Sequence, residues 1–271
     1  MRRVAVSGPF DDIRSRHLRF LQEAARFGPV TVWLWSDEMV SRLTGQPPKL
    51  PWAERLYILN AVRYVSNVLQ ANSPAASDDL PAAQGFVPDI WADDASLANA
   101  ARWAHCRARG LEYQVLSPSQ LEGFPLPPPP SPAPGRKKVV VTGCYDWFHS
   151  GHVRFFEEVS QYGDLYVVVG HDANVRSLKG EGHPLFPQEE RRYLVGSVRF
   201  VTQALISSGD GWLDAEPEIQ RLKPDIYAVN EDGDQGGKRE YCARHGIQYL
   251  ILKRQPAPGL PRRTSTELRG F

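Results

Sequence analysis

Short runs of apolar residues alternate with longer amphipathic stretches along the chain. In the C-terminal half, Val139 to Val141 is a continuous apolar run of the kind that forms a strand buried on both faces, and it ends in a turn containing Gly143. His152 to Tyr162 carries apolar residues at helical spacing, and Leu165 to Gly170 predicts a second buried strand. Further on, Glu189 to Val198 predicts a helix, Val201 to Ile206 a strand, and Asp225 to Val229 a strand behind Pro224. Lys238 to His245 predicts a helix closed by Gly246, and Tyr249 to Leu252 a last strand. Strands alternating with helices predict an α/β fold in which helices cover both faces of a parallel sheet, the doubly wound arrangement.

The same pattern occurs twice. VAVSGPFDDIRSRHLRFLQEAARFG from Val4 aligns with VVVTGCYDWFHSGHVRFFEEVSQYG from Val139, an offset of 135 residues. After one indel the offset becomes 136: Pro51 to Leu69 aligns with Pro187 to Leu205, Pro88 to Leu116 with Pro224 to Leu252, and Cys106 with Cys242. Shared glycine, proline, arginine and tyrosine positions point to a tandem duplication rather than generic α/β patterning. Between the copies lies FPLPPPPSPAPGRKK, too rich in proline for helix or sheet, which predicts an extended spacer. The expected organisation is a domain over 1–124, a linker over 125–137 and a second domain over 138–271.

Composition narrows the class. A chain of 271 residues with 42% hydrophobic and 23% charged residues suits two compact α/β cores. A net charge of +1 gives no footprint for nucleic acid or an anionic membrane surface, so any affinity for phosphate is local. The absence of a charged start followed by an apolar segment, and of a long apolar run, leads to the expectation of a cytoplasmic protein with no membrane span. Cys106, Cys144 and Cys242 lack the spacing of a zinc site or a disulfide framework and are expected to be reduced thiols.

In a doubly wound sheet, ligands bind beyond the carboxyl ends of the strands, where turn amides face outward. The run Thr142, Gly143, Cys144, Tyr145, Asp146 falls at that edge, followed by His149, Ser150, Gly151 and His152. His149 and His152, three residues apart at a helix start, are expected to aim both rings at one phosphate, with Gly151 admitting substrate to the backbone. Attack of one phosphate on the α-phosphate of a triphosphate develops charge that calls for positioned donors and a divalent cation, not a covalent nucleophile. Cys144 has no base beside it and is therefore read as a small turn residue. His171, His183 and His245 read as surface residues.

Gly143 to His152 (GCYDWFHSGH), Ser177 to Gly180 (SLKG) and Arg263 to Arg269 (RTSTELR) together resemble three motifs, in order, of the HxGH nucleotidyltransferase superfamily. Within it the resemblance is to the cytidylyltransferases acting on phosphoethanolamine, phosphocholine and glycerol phosphate, and it extends over Lys138 to Arg269. It implies two tandem Rossmann-like nucleotidyltransferase domains. The implied reaction transfers CMP from CTP to a small phosphorylated alcohol and releases pyrophosphate, with Mg²⁺ held through the phosphates rather than by side chains.

The resemblance gives His149, His152 and Lys179 catalytic roles. It assigns nucleotide and phosphate binding to Thr142, Gly143, Cys144, Tyr145, Gly151, Asp232, Arg254, Thr264, Ser265 and Thr266. Asn230 stands where the family has glycine, and Lys253 to Arg263 is longer than its family counterpart, as a lid or part of the acceptor pocket. SLKG followed by Pro184, Pro187, Glu190 and Arg191 also resembles heptose phosphate adenylyltransferases, so adenylyl transfer from ATP to a sugar phosphate is the alternative reaction. A non-catalytic nucleotide-binding regulatory protein is the alternative of another class.

In the first copy Arg14 replaces His149, Arg16 replaces Gly151, Thr44 replaces Lys179 and Ser96 replaces Asp232; His17 alone remains, opposite His152. That copy is expected to be catalytically inactive and to serve as an internal pseudo-subunit, a pairing compatible with a homodimer.

Overall fold

The computed structural model describes residues 2–72, 77–80, 85–130, 134–265 and 268. The chain divides into two compact units, Met1–Phe124 and Pro125–Gly270.

The N-terminal unit contains β1 (Val4–Gly8), α1 (Ser15–Ala24), β2 (Val30–Trp35), α2 (Asp37–Thr44), α3 (Trp52–Ala61), β3 (Val65–Ala71), β4 (Ile90–Asp94), α4 (Ala100–Arg109) and β5 (Glu112–Leu116). Its sheet is parallel with strand order β3-β2-β1-β4-β5. The C-terminal unit contains β6 (Lys138–Gly143), α5 (Ser150–Val159), β7 (Asp164–Val169), α6 (Asp172–Lys179), α7 (Gln188–Gly196), β8 (Val201–Ile206), α8 (Glu216–Leu222), β9 (Ile226–Asn230), α9 (Lys238–His245) and β10 (Gln248–Leu252). Read from the other edge, its parallel sheet has the matching order β8-β7-β6-β9-β10. Both units are α/β and doubly wound, and in each the chain reverses direction across the sheet beside the first strand. That reversal opens a crevice at the strands' carboxyl ends.

Burial follows strand position. All five residues of β1 are buried, and so are five of the six in β7, because strands with helices on both faces meet no water. The edge strand β3 buries its end residues Val65 and Ala71 and leaves Ser66, Asn67 and Gln70 exposed. Helix ends are set locally: the Ser36 side chain accepts from the Met39 N–H, the Asn99 side chain accepts from the Arg102 N–H, and Gly45, Gly110 and Gly246 close their helices in the left-handed conformation.

Atomic details repeat as well. A Cβ at Gly28 would lie 1.9 Å from the Arg2 carbonyl oxygen, and one at Gly163 would lie 2.1 Å from that of Lys137. Only glycine fits either contact. The Asp89 and Asp225 carboxylates accept from the N–H of Arg3 and Lys138, each at 2.7 Å.

Two helices, α6 and α8, go beyond the sequence pattern. Residues 172–179 and 216–222 are eight and seven residues long, too short for a periodic apolar face to stand out. The proline-rich stretch starts against the C-terminal unit: a Cβ at Gly196 would meet the Leu126 side chain at 2.5 Å, so the bare glycine on α7 makes room for Leu126. No helix among the described residues is long and apolar enough to cross a membrane.

Candidate nucleotide site

The crevice beside β6 opens into a cavity of about 530 Å³. Its walls come from the turn after β6 (Thr142 to Trp147), the start of α5 (Gly151, His152, Phe155), the end of α6 (Lys179), the loop bearing His183 and Leu185, the end of β9 (Ala228 to Asn230) and Asp232, Gly233, Lys238, Arg254 and Ser265. The structure thus gathers Thr142, Gly143, Cys144, Tyr145, Gly151, His152, Lys179, Asp232, Arg254 and Ser265 around one cavity.

Two framework groups shape the turn. Gly143 is bare because the Tyr145 ring folds back over it; a Cβ there would lie 2.8 Å from that ring, and Tyr145 itself adopts a φ of 54°. Asp146 accepts from the Leu185 and Phe186 N–H groups at 2.7 and 3.1 Å, tying the turn to the segment before α7. Arg191 is fully buried and donates to the carbonyls of Phe186, Cys144 and Gly170 and to the Asp172 carboxylate. One guanidinium therefore fixes three loops at the strand ends, with its charge balanced by Asp172. Arg55 repeats the arrangement in the N-terminal unit with Leu50, Pro9, Trp35 and Asp37.

The histidines form a stacked pair with ring centroids 4.0 Å apart. His152 lines the cavity, whereas His149 caps α5, is fully buried and stands behind it. The expectation that both rings face one phosphate is thus corrected: His152 faces the cavity and His149 packs behind it. Gly151 also gains a second reason: a Cβ there would lie 2.9 Å from the His149 ring, so His149 packing itself excludes a side chain.

His149 Nδ1 accepts from the Gly151 N–H at 3.0 Å, which places the proton of the neutral ring on Nε2. That Nε2 and the Nδ1 of His152 are buried without a partner among the described residues. Burial, helped by the positive charges of Arg254 and Arg263, pulls His149 down to about 3. Burial also holds His152 well below its ordinary value, reinforced by His149, Arg254 and Lys179. Two neutral rings with unspent nitrogens, surrounded by cations, form a site that gains by accepting negative charge.

Arg254 donates to the Asp232 carboxylate and, at 3.2 Å, to the Arg263 carbonyl, so two residues assigned to the nucleotide hold each other. Ser265 Oγ donates to the Trp147 carbonyl at 3.1 Å, and the Leu268 N–H donates to the Thr264 carbonyl at 3.3 Å. Thr264 is not on the cavity wall. Thr266 lies outside the described residues. The thiol of Cys144 is pushed up by burial, which fits a turn residue and not a nucleophile.

Three residues gain parts that their sequence positions did not announce. His183 is no surface residue: it lines the cavity, with Nδ1 3.4 Å from an Asp146 oxygen. His171 also has an internal task, accepting from the Asn174 N–H at the start of α6 while its Nε2 lies 2.8 Å from the Gly209 carbonyl. Lys238 lines the cavity from the start of α9. The motifs contained Asp146 and Arg191, and the repeat signalled their framework role, because Asp11 and Arg55 occupy the matched positions.

A crevice at the switch point of a parallel sheet, with anion-seeking groups at its edge, is the site of a nucleotide-binding α/β protein. Residues 140–264 match the cytidylyltransferase-like family model. An FAD synthase of Ferroglobus placidus is 36% identical over 120 residues, which cover 43% of this chain and 75% of that protein. The bifunctional protein HldE of Campylobacter concisus is 38% identical over 100 residues, covering 36% of this chain and 21% of HldE, so the chain spans about a fifth of that relative. Among solved structures, a lipopolysaccharide core biosynthesis protein from Thermoplasma volcanium aligns at 25% identity with a TM-score of 0.38, covering 45% of this chain and 99% of that one. The chain belongs to the cytidylyltransferase-like family of nucleotidyltransferases.

Proposed function

We propose that the C-terminal unit transfers AMP from ATP to a phosphorylated acceptor with an uncharged, hydroxyl-bearing body of the sugar phosphate type, releasing pyrophosphate. The stacked pair of His149 and His152, with unspent nitrogens beside Lys179 and Arg254, carries the nucleotidyl-transfer reading. An acceptor phosphate oxygen attacks the α-phosphorus, the bond to the β-phosphate oxygen breaks, and pyrophosphate leaves with the bonding electrons. His152 and Lys179 stabilise charge on the phosphoryl oxygens, and His149 sets the orientation of His152 from behind. Mg²⁺ on the triphosphate would neutralise the leaving pyrophosphate.

ATP is preferred over CTP because a relative is named for making flavin adenine dinucleotide and because SLKG with Glu190 and Arg191 resembles heptose phosphate adenylyltransferases. The cavity's charges favour the acceptor class. The carboxylates on its wall already have partners, Asp146 two backbone N–H groups and Asp232 the Arg254 guanidinium, which favours an acceptor with an uncharged body over one bearing an ammonium. The test is pyrophosphate release with Mg²⁺, ATP or CTP, and a panel of sugar phosphates, glycerol phosphate and phosphoethanolamine. Release with ATP and a sugar phosphate is expected; turnover with CTP and phosphoethanolamine alone would overturn the reading.

For the N-terminal unit we propose a structural role as a degenerate tandem copy, in a cytoplasmic enzyme. Expression of residues 136–271 alone is expected to lower stability or activity; a stable, fully active fragment would remove that role.

A further inference from the structure

Lys238 opens α9, where a cation opposes the helix macrodipole. It is half-buried on the cavity wall, and burial lowers its affinity for a proton against the more distant attraction of Asp234 and Asp214. Among the described residues the Lys238 ammonium makes one hydrogen bond, to the Gly233 carbonyl at 3.0 Å, and no ion pair. An ammonium has three donors, and the two not used by Gly233 are left for water or a ligand in the cavity.

The N-terminal unit shows what completes such a position. Arg102 is the matched residue of Lys238. It is buried and donates to the Asp93 and Asp78 carboxylates and to the Ser77 carbonyl, while Tyr113 also donates to Asp93. At the position of Asp93 the C-terminal unit has Val229, and Tyr249, matched to Tyr113, turns to Asp234 instead. The cation is kept and its internal anion is gone. A buried apolar side chain, Val229, stands in the place of the carboxylate, and Lys238 lies on the cavity wall.

Strand order says which end of a substrate lies there. Lys179 and His183 follow β7 on one side of β6, whereas Lys238 follows β9 on the other. The β7 side presents cationic groups suited to an acceptor phosphate. The β9 side presents Ala228, Val229, Asn230 and Gly233, whose short side chains and backbone groups leave room for a flat nucleoside beside Asp232 and the Arg254 guanidinium paired with it.

We infer that Lys238 is a specificity-determining residue that hydrogen-bonds the nucleoside end, base or ribose, of the bound triphosphate. The inference rests on the nucleotidyl-transfer reading above. It assigns Lys238 to substrate binding and leaves the bond changes to the groups around His152.

The test uses the full chain with Lys238→Met, which keeps the alkyl stem and removes the charge, and Arg244→Ala on the exposed last turn of α9 as control. Melting temperatures of both variants confirm folding. Lys238→Met is expected to raise KM for the triphosphate by roughly ten- to a hundredfold, the effect of one hydrogen bond to a charged group, with kcat changed far less. Direct binding of ATP, 2′-deoxy-ATP and inorganic tripolyphosphate separates the contacts. Weakened binding of ATP with unchanged binding of tripolyphosphate supports the inference, and a smaller loss with 2′-deoxy-ATP than with ATP assigns the contact to the ribose. Equal weakening of tripolyphosphate would make Lys238 a phosphate ligand and overturn it, as would unchanged ATP binding. Failure of the unaltered protein to bind any nucleotide would instead sink the nucleotidyl-transfer reading itself.

Discussion

His17 and His152 hold the same position in two copies of one fold, yet their nitrogens have different fates. His17 Nδ1 accepts from the Arg14 N–H at 3.1 Å, whereas His152 Nδ1 is buried with no partner among the described residues. Around His17, Arg14 pairs with Asp12 at 2.7 Å, and Arg16 forks onto Asp94 with contacts of 2.9 to 3.1 Å. Around His17, then, Arg14, Arg16 and the His17 Nδ1 have each found a partner from the same chain. In the C-terminal unit His149, His152 and Lys238 retain capacity that the fold does not use. The framework is common to both: the buried arginine, the aspartate in the turn, and an aromatic residue at positive φ, Phe10 at 44° and Tyr145 at 54°. A fold and its chemistry are thus separable, and the difference lies in which polar groups are left unsatisfied.

The most severe way to erase that difference is Gly151→Arg, which gives the C-terminal unit the residue of position 16. Its Cβ would collide with the His149 ring and its side chain would enter the cavity, so pyrophosphate release is expected to fall below detection. Retained turnover would show that the cavity wall tolerates the substitution. Next come His149→Ala and His152→Ala, each expected to lower kcat by at least about a hundredfold, the scale of losing a preorganised donor. His17→Ala is expected to change it less than about twofold, and an equal loss there would contradict an inactive first copy.

The comparison extends to acid stability. His149 titrates near 3 in the folded chain against 6.5 for a free imidazole, so between these values the unfolded state binds more protons. Folding stability is then unaffected by this group above about pH 6.5 and falls with decreasing pH by up to about 1.4 kcal/mol per unit for each such histidine. His17 is lowered too, again chiefly by burial, but it stands alone where the C-terminal unit has a pair. Hydrogen exchange from pH 7 to 4 should show protection lost sooner in the C-terminal unit, with His149→Gln making its pH dependence shallower. Parallel loss in both units would dissolve the distinction.

Much of this was legible in the residues. Apolar runs located the central strands, and the helix over Lys238–His245 coincides with its predicted bounds. The two sheets have matching strand orders, as a repeated pattern leads one to expect. The cavity gathers the phosphate-turn residues with Lys179 and Arg254 because all of them belong to loops at strand carboxyl ends. His183 and Lys238 escaped because their significance lies in what they face after folding. Asp146 meets residues about forty positions later in the chain, and no local spacing signals such a contact. The vertical stacking of His149 behind His152 was hidden for a similar reason: three residues of separation fixes a shared helix face but not which ring reaches the cavity.

The fork between Arg16 and Asp94 has a consequence that can be counted. A partner tethered to the same scaffold competes at an effective concentration in the millimolar range, and a diffusing anion has to displace it before occupying the first crevice. With that seat taken from within, a saturating calorimetric titration with ATP is expected to end at one nucleotide per chain, although the polypeptide holds two copies of the crevice.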